Sequence, residues 1–132
     1  HKNENGCEIM IKSLDKKTKQ QMHQKIMDAF NYQATLAIGG NTTSYEGDLS
    51  SAKALASMTD NVISLGQAPA EDIIHISETL TKAWDFYVEV CNDKLSSTAG
   101  EAFYAQGSTY LCDAIIALDR YAQKKGLTGP IQ

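Results

Sequence analysis

Apolar residues recur every three or four positions along nearly the whole chain, close to the roughly 3.6 residues of a helical turn, and this spacing predicts an all-α protein. A first segment over 15–38 returns Thr18, Met22, Ile26, Ala29, Tyr32 or Gln33, and Leu36 to one side. Gly39-Gly40 ends it, because glycine supplies the left-handed backbone that closes a helix. Upstream, Ile9, Met10 and Ile11 fit a separate short turn or an extension of the same helix equally well. The stretch 39–48 (Gly-Gly-Asn-Thr-Thr-Ser-Tyr-Glu-Gly-Asp) reads as the one long loop, since its side chains compete with regular backbone hydrogen bonding. A second helix begins near Asp48, turns Leu49, Ala52, Leu55, Thr59, Val62 and Leu65 toward a core, and stops at Gly66.

Pro69 suits the first position of a third helix, where its missing N–H would have no partner, and Glu71 and Asp72 suit the positive end of the helix dipole. Over 69–95 this helix carries two adjoining apolar rows. Ile73, Ile76, Leu80, Ala83, Tyr87 and Val90 form one, and Ile74, Trp84, Val88, Cys91 and Leu95 the other. A stripe that wide needs two neighbours, in the same chain or in a twin subunit, so a homodimer stays open. Thr98-Ala99-Gly100-Glu101 matches a capping box at the start of a fourth helix. That helix carries Phe103, Gly107, Tyr110, Ala114, Ala117 and Tyr121, flanked by Leu111, Ile115, Leu118 and Ala122, and closes at Lys124, Lys125 and Gly126.

Four helices with mostly short connections favour antiparallel neighbours, so the expected architecture is an antiparallel up-down-up-down four-helix bundle. No internal repeat or heptad run is evident, and the pattern gives no reason to divide the chain. One helical domain over 1–132 is expected, with a polar N-terminal arm at 1–7 and a tail at 126–132. Its 132 residues are enough to bury a core without a metal or disulfide staple.

Composition narrows the function classes. No apolar run reaches the roughly 18 residues of a membrane helix, so no membrane insertion is expected. A net charge of -4 with a single arginine argues against nucleic acid, because phosphate backbones are bound by clustered cations. A di-iron bundle needs two Glu-x-x-His motifs, and only Asp72-Ile73-Ile74-His75 comes near one. His75, close to Glu71 and Asp72, reads as a surface histidine paired with acids. There is no Cys-x-x-Cys-His, no zinc knuckle, no Gly-x-Ser-x-Gly elbow and no phosphate loop, so no metal site, cofactor or catalytic residue is expected.

The three cysteines allow one bridge. In a hairpin turning near Ser96 and Ser97, Cys91 and Cys112 stand at heights differing by roughly 15 Å at the helical rise, beyond the roughly 7 Å Cα separation a disulfide tolerates. Cys7 with Cys112 is the favoured pair, and three free thiols are the alternative. The start at His1 fits a processed mature form, an excised fragment or a tag remnant. Taken with the cysteines, it favours an extracytoplasmic (periplasmic or secreted) protein over a cytoplasmic one.

Charge carries the functional expectation. Between Glu46 and Glu101 ten acids face three lysines, a local balance of -7, and Asp85, Glu89 and Asp93 follow one another at i, i+4. Like charges at that spacing cost a few tenths of a kcal/mol per pair. Such a strip is either a solvated face or a surface that meets a basic protein partner. Tyr45 and Glu46, in the long loop, are the other candidate contacts. The expected function is a non-enzymatic protein–protein recognition module, such as a small exported inhibitor or immunity protein. The alternative is a small-ligand or cofactor-binding bundle in which Trp84, Tyr87, Phe103 and Tyr110 line a cavity.

Overall fold

Helix α1 spans Lys16–Ile38, α2 Tyr45–Leu65, α3 Ala70–Glu89 and α4 Thr98–Lys124, and α3 runs on through a π-helical turn at Val90–Lys94. These elements come from a computed structural model that describes residues 14–38, 44–94 and 98–127, with the backbone alone described at 93, 94, 98 and 99. The described residues form an all-α protein in which four helices pack on one another. Among them, no helix is long and apolar enough to cross a membrane.

Local chemistry sets the boundaries. Asp15 opens α1 by accepting the Thr18 N–H at 2.7 Å, and that bond holds its carboxyl below the usual range. Ser44, in extended conformation, caps α2 by accepting the Gly47 N–H at 2.9 Å. The segment expected as a loop through Asp48 therefore ends at Ser44, and the second helix starts three residues early. One hydroxyl at the right offset decided this, despite the glycine and polar residues that follow. Gly66 closes α2 at φ 65° and donates to the Val62 carbonyl, a left-handed end that other residues adopt only at a cost. Pro69 caps α3 through its carbonyl, which accepts from the Asp72 and Ile73 amides.

Contacts between helices fix their directions. From α2 to α4, Asp48 meets Tyr104, the Ala52 Cβ lies against Gly107 and Lys53 reaches Tyr110, so both chains advance together and the pair is parallel. Between α3 and α4, Tyr87 meets Tyr104 while Cys91 meets Glu101, an antiparallel pair. His23 with Asp72 and Asn31 with His75 make α1 and α3 parallel. Directions thus alternate along the chain. The neighbours do not follow chain order, however: α2 packs on α1 and α4 and barely touches α3, although only the four residues 66–69 join them. The extended connection carries the chain diagonally across the end of the bundle.

Buried positions share one rhythm. The innermost rows are His23, Met27, Phe30, Ala34 and Ala37 in α1, and Asp48, Ala52, Leu55, Thr59, Val62 and Leu65 in α2. In α3 they are Ile73, Ile76, Leu80, Ala83, Tyr87 and Val90, and in α4 Gly100, Tyr104, Gly107, Leu111, Ala114, Leu118 and Ala122. Gaps of three and four run through these rows, close to the heptad spacing of helices that pack at shallow angles, and buried Leu49, Ser51, Ser77 and Thr79 broaden the inner faces of α2 and α3. This spacing belongs to the buried positions and not to a heptad run of apolar residues. Small and polar residues at His23, Asp48, Thr59, Gly100 and Gly107 hide it from a search for apolarity.

The second helix and the first row of the third bury the residues expected of them. In α1 the buried face lies one residue further round than expected, because the fully buried Phe30 points inward while Tyr32 stays 66% exposed. In α4 the flanking Leu111, Leu118 and Ala122 take the core, and Tyr110 faces outward.

Candidate functional site

Three helices meet at a buried polar cluster. Asp48, in the first turns of α2, is 3% exposed although it is a carboxylate. Its Oδ2 accepts the Tyr104 hydroxyl from α4, and its backbone carbonyl accepts the Tyr87 hydroxyl from α3. Its Oδ1 is buried with no hydrogen-bond partner. Burial pushes the carboxyl above the usual range, against the opposing effect of the Tyr104 hydrogen bond. Burial, and then the charge of Asp48, hold the Tyr87 phenol well above its ordinary value. Tyr104 is raised in the same way, by burial first and then by its bond to Asp48.

Aromatic rings enclose the cluster. Tyr87 and Tyr104 meet edge to face at 5.3 Å, and Tyr45 stands edge-on to Tyr104 and stacks near Phe103 at 6.4 Å. Tyr45 was expected as a loop contact. It instead lies in the first turn of α2 with its ring against Gly100, and Glu46 beside it is exposed. The sequence showed no sign of this cluster beyond Tyr87 on a core row. In the sequence Tyr104 falls between two apolar stripes, and Asp48 reads as an ordinary helix-start acid.

The outer side of α3 has a different character. Glu71, Glu78, Asp85 and Glu89 are all exposed, with His75 and Lys82 between them, while the opposite side of the helix is committed to the core. Asp85 and Glu89 therefore occupy the surface expected of them, and the side chain of Asp93 lies outside the described residues. Since α2 and α3 sit diagonally in the bundle, Tyr45 and Glu46 do not share a patch with these acids on neighbouring helices.

Histidines join α1 to α3. His23 Nε2 donates to Asp72 Oδ2 at 3.0 Å, leaving the buried Nδ1 without a partner. His75 Nε2 donates to Asn31 Oδ1 at 2.7 Å, so the acid expected beside His75 serves His23 instead. Asp72 and His75 lie three residues apart on α3, and the parallel α1 presents a different partner to each. Among the described residues, no group of three His, Cys, Asp or Glu side chains could hold a metal ion.

Cys91 and Cys112 are half-buried and form no bridge with each other, in line with the height argument. The Cys91 thiol donates to the Glu101 carbonyl at 3.5 Å. Cys7 lies outside the described residues, and with it the pairing to Cys112. Of the four aromatics expected around a ligand, Trp84 and Phe103 are half-buried, Tyr87 is buried against Gly107, and Tyr110 is 40% exposed with the Lys53 ammonium 5.6 Å from its ring centre.

No known family model matches the chain, and no curated protein and no solved structure matches it.

Proposed function

We propose that this protein is a non-enzymatic recognition module that offers the outer face of α3 to a protein partner with a basic surface. The supporting observation is the line of exposed carboxylates at Glu71, Glu78, Asp85 and Glu89, set on a helix whose inner side is fixed in the core. A rigid helix holds charges in register at little entropic cost on binding, and a row in which four carboxylates outnumber the single Lys82 steers a basic partner during encounter. In kind, this is the work of a small exported inhibitor or immunity protein. Placing the protein outside the cytoplasm rests on its three cysteines in a chain of 132 residues.

The test is retention on an immobilised lysine-rich peptide, followed as salt is raised. The triple variant Asp85→Ser, Glu89→Ser, Asp93→Ser should bind more weakly and with a flatter salt dependence than the parent. A control, Asp28→Ser, Asp60→Ser, Asp113→Ser, removes the same charge from other helices and should retain most of the binding. Equal losses in the two variants would reduce the effect to net charge and remove α3 as an interface.

A further inference from the structure

Asp48 is an ionisable group packed among three helices with no ion pair on it among the described residues. Tyr87 faces it from α3, Tyr104 from α4 and Tyr45 from its own helix. The last turn of α1, residues 34–38, carries no ionisable group. Along these helices the nearest charged residues, Glu46, Asp85, Glu89 and Glu101, are exposed and share the sign of the carboxylate. Lys53, the closest lysine along α2, is turned toward the exposed ring of Tyr110.

An ionised Asp48 keeps one hydrogen bond, from Tyr104 to Oδ2, and leaves Oδ1 bare in a site closed to water. Protonation removes the charge and keeps the shape. Two features let this end of the bundle respond. The ring of Tyr45, which covers Gly100, is itself 36% exposed. The π-helical turn also begins three residues after Tyr87, a departure from α-helical bonding that recurs at functional sites. We propose that Asp48 is a proton-dependent latch: with the proton bound, α2, α3 and α4 stay drawn together around the two tyrosine hydroxyls, and when it is lost to water the buried charge opens this end of the bundle. Burial of the carboxyl places the transition above the ordinary aspartate range. The stability it contributes is present below the unfolded value of about 3.9 and is lost as pH rises through the raised folded value. This inference is independent of the recognition face, and its test uses no partner.

The experiment is amide hydrogen exchange on the full chain from about pH 4 to pH 8, corrected for intrinsic rates, with the Asp48 carboxyl carbon followed by NMR over the same span. Protection over 48–52, 85–90 and 101–107 should fall several-fold relative to 111–122 as the pH rises. The carboxyl should titrate in step with that fall, above the ordinary aspartate range. Asp48→Asn should keep the ratio flat. If that variant does not fold, Tyr104→Phe carries the test, because removing the one hydrogen bond to the ionised form should move the fall to higher pH. A flat ratio in the parent, an ordinary Asp48 titration, an equal fall in Asp48→Asn, or an unmoved midpoint in Tyr104→Phe would each overturn the latch.

Discussion

The ring of Tyr87 occupies the space that a side chain at Gly107 would need: a Cβ at position 107 would lie 2.6 Å from two of its carbons. Both residues are buried, and the Tyr87 hydroxyl is tied to the Asp48 carbonyl, so the ring cannot swing aside without breaking that bond. Gly107 is thus the floor on which the tyrosine packs. Gly107→Ala gains up to about 1 kcal/mol of helix propensity and loses about 1–3 kcal/mol to overpacking. The net should be destabilising, read as a lower urea midpoint.

Gly100 provides the contrast. A Cβ there would meet the far end of the Tyr45 ring at 2.8 Å, but that ring is 36% exposed and can tilt toward solvent. Gly100→Ala should therefore be close to neutral, within about 0.5 kcal/mol of the parent, because the helix propensity gain offsets the displaced ring. Both variants in one urea series would separate close packing from the general cost of glycine in a helix.

Alkaline pH should loosen the same region in Asp48→Asn, where the latch stays shut. Tyr87 and Tyr104 titrate above their ordinary value because burial opposes the phenolate and Asp48 adds to it. A raised folded value means that the stabilisation is complete below the unfolded value of about 10 and is lost as pH rises toward the folded one. Stability should decline above about pH 10. In that background Tyr87→Phe should cost about 1 kcal/mol at neutral pH through the lost hydrogen bond to the backbone carbonyl of residue 48 and should flatten the alkaline decline. Urea midpoints at neutral and alkaline pH check both effects.

The legible parts of this fold are those where apolarity and burial coincide. The core rows of α2 and α3 could be read directly, since Leu55, Val62, Ile73 and Leu80 are both greasy and fully buried. The face of α1 could not, because Met22 and Ile26 are as apolar as Met27 and Phe30, and only contact with neighbouring helices chooses between them. The polar cluster was hidden for a physical reason. A buried aspartate gives no local signal, and its partners lie 39 and 56 residues away in the chain. The α3 acids were visible because surface charge is a property of one helix alone. The neighbour order was not, because nothing in residues 66–69 states that the connection runs diagonally.

His23 and Asp72 offer the sharpest test of how α1 is held. α1 contacts α3 far less than it contacts α2, so the polar bridges His23–Asp72 and Asn31–His75 make up a larger share of that seam than such bridges do elsewhere in the bundle. The His23 side chain is 10% exposed and that of Asp72 34%, which reduces screening without the full desolvation of a core ion pair. A double-mutant cycle with His23→Gln and Asp72→Asn should give a coupling of about 0.5–1.5 kcal/mol. The same cycle on Asn31 and His75, which are both exposed, should give less than about 0.5 kcal/mol. If the two cycles return equal couplings, burial of the imidazole is not what strengthens the first bridge. If the His23 cycle returns nothing, α1 is held to the bundle by its contact with α2 alone. Native-state hydrogen exchange in α1 distinguishes these outcomes, since loss of the bridge should release the start of α1 before its end, where Ala34 and Ala37 remain buried.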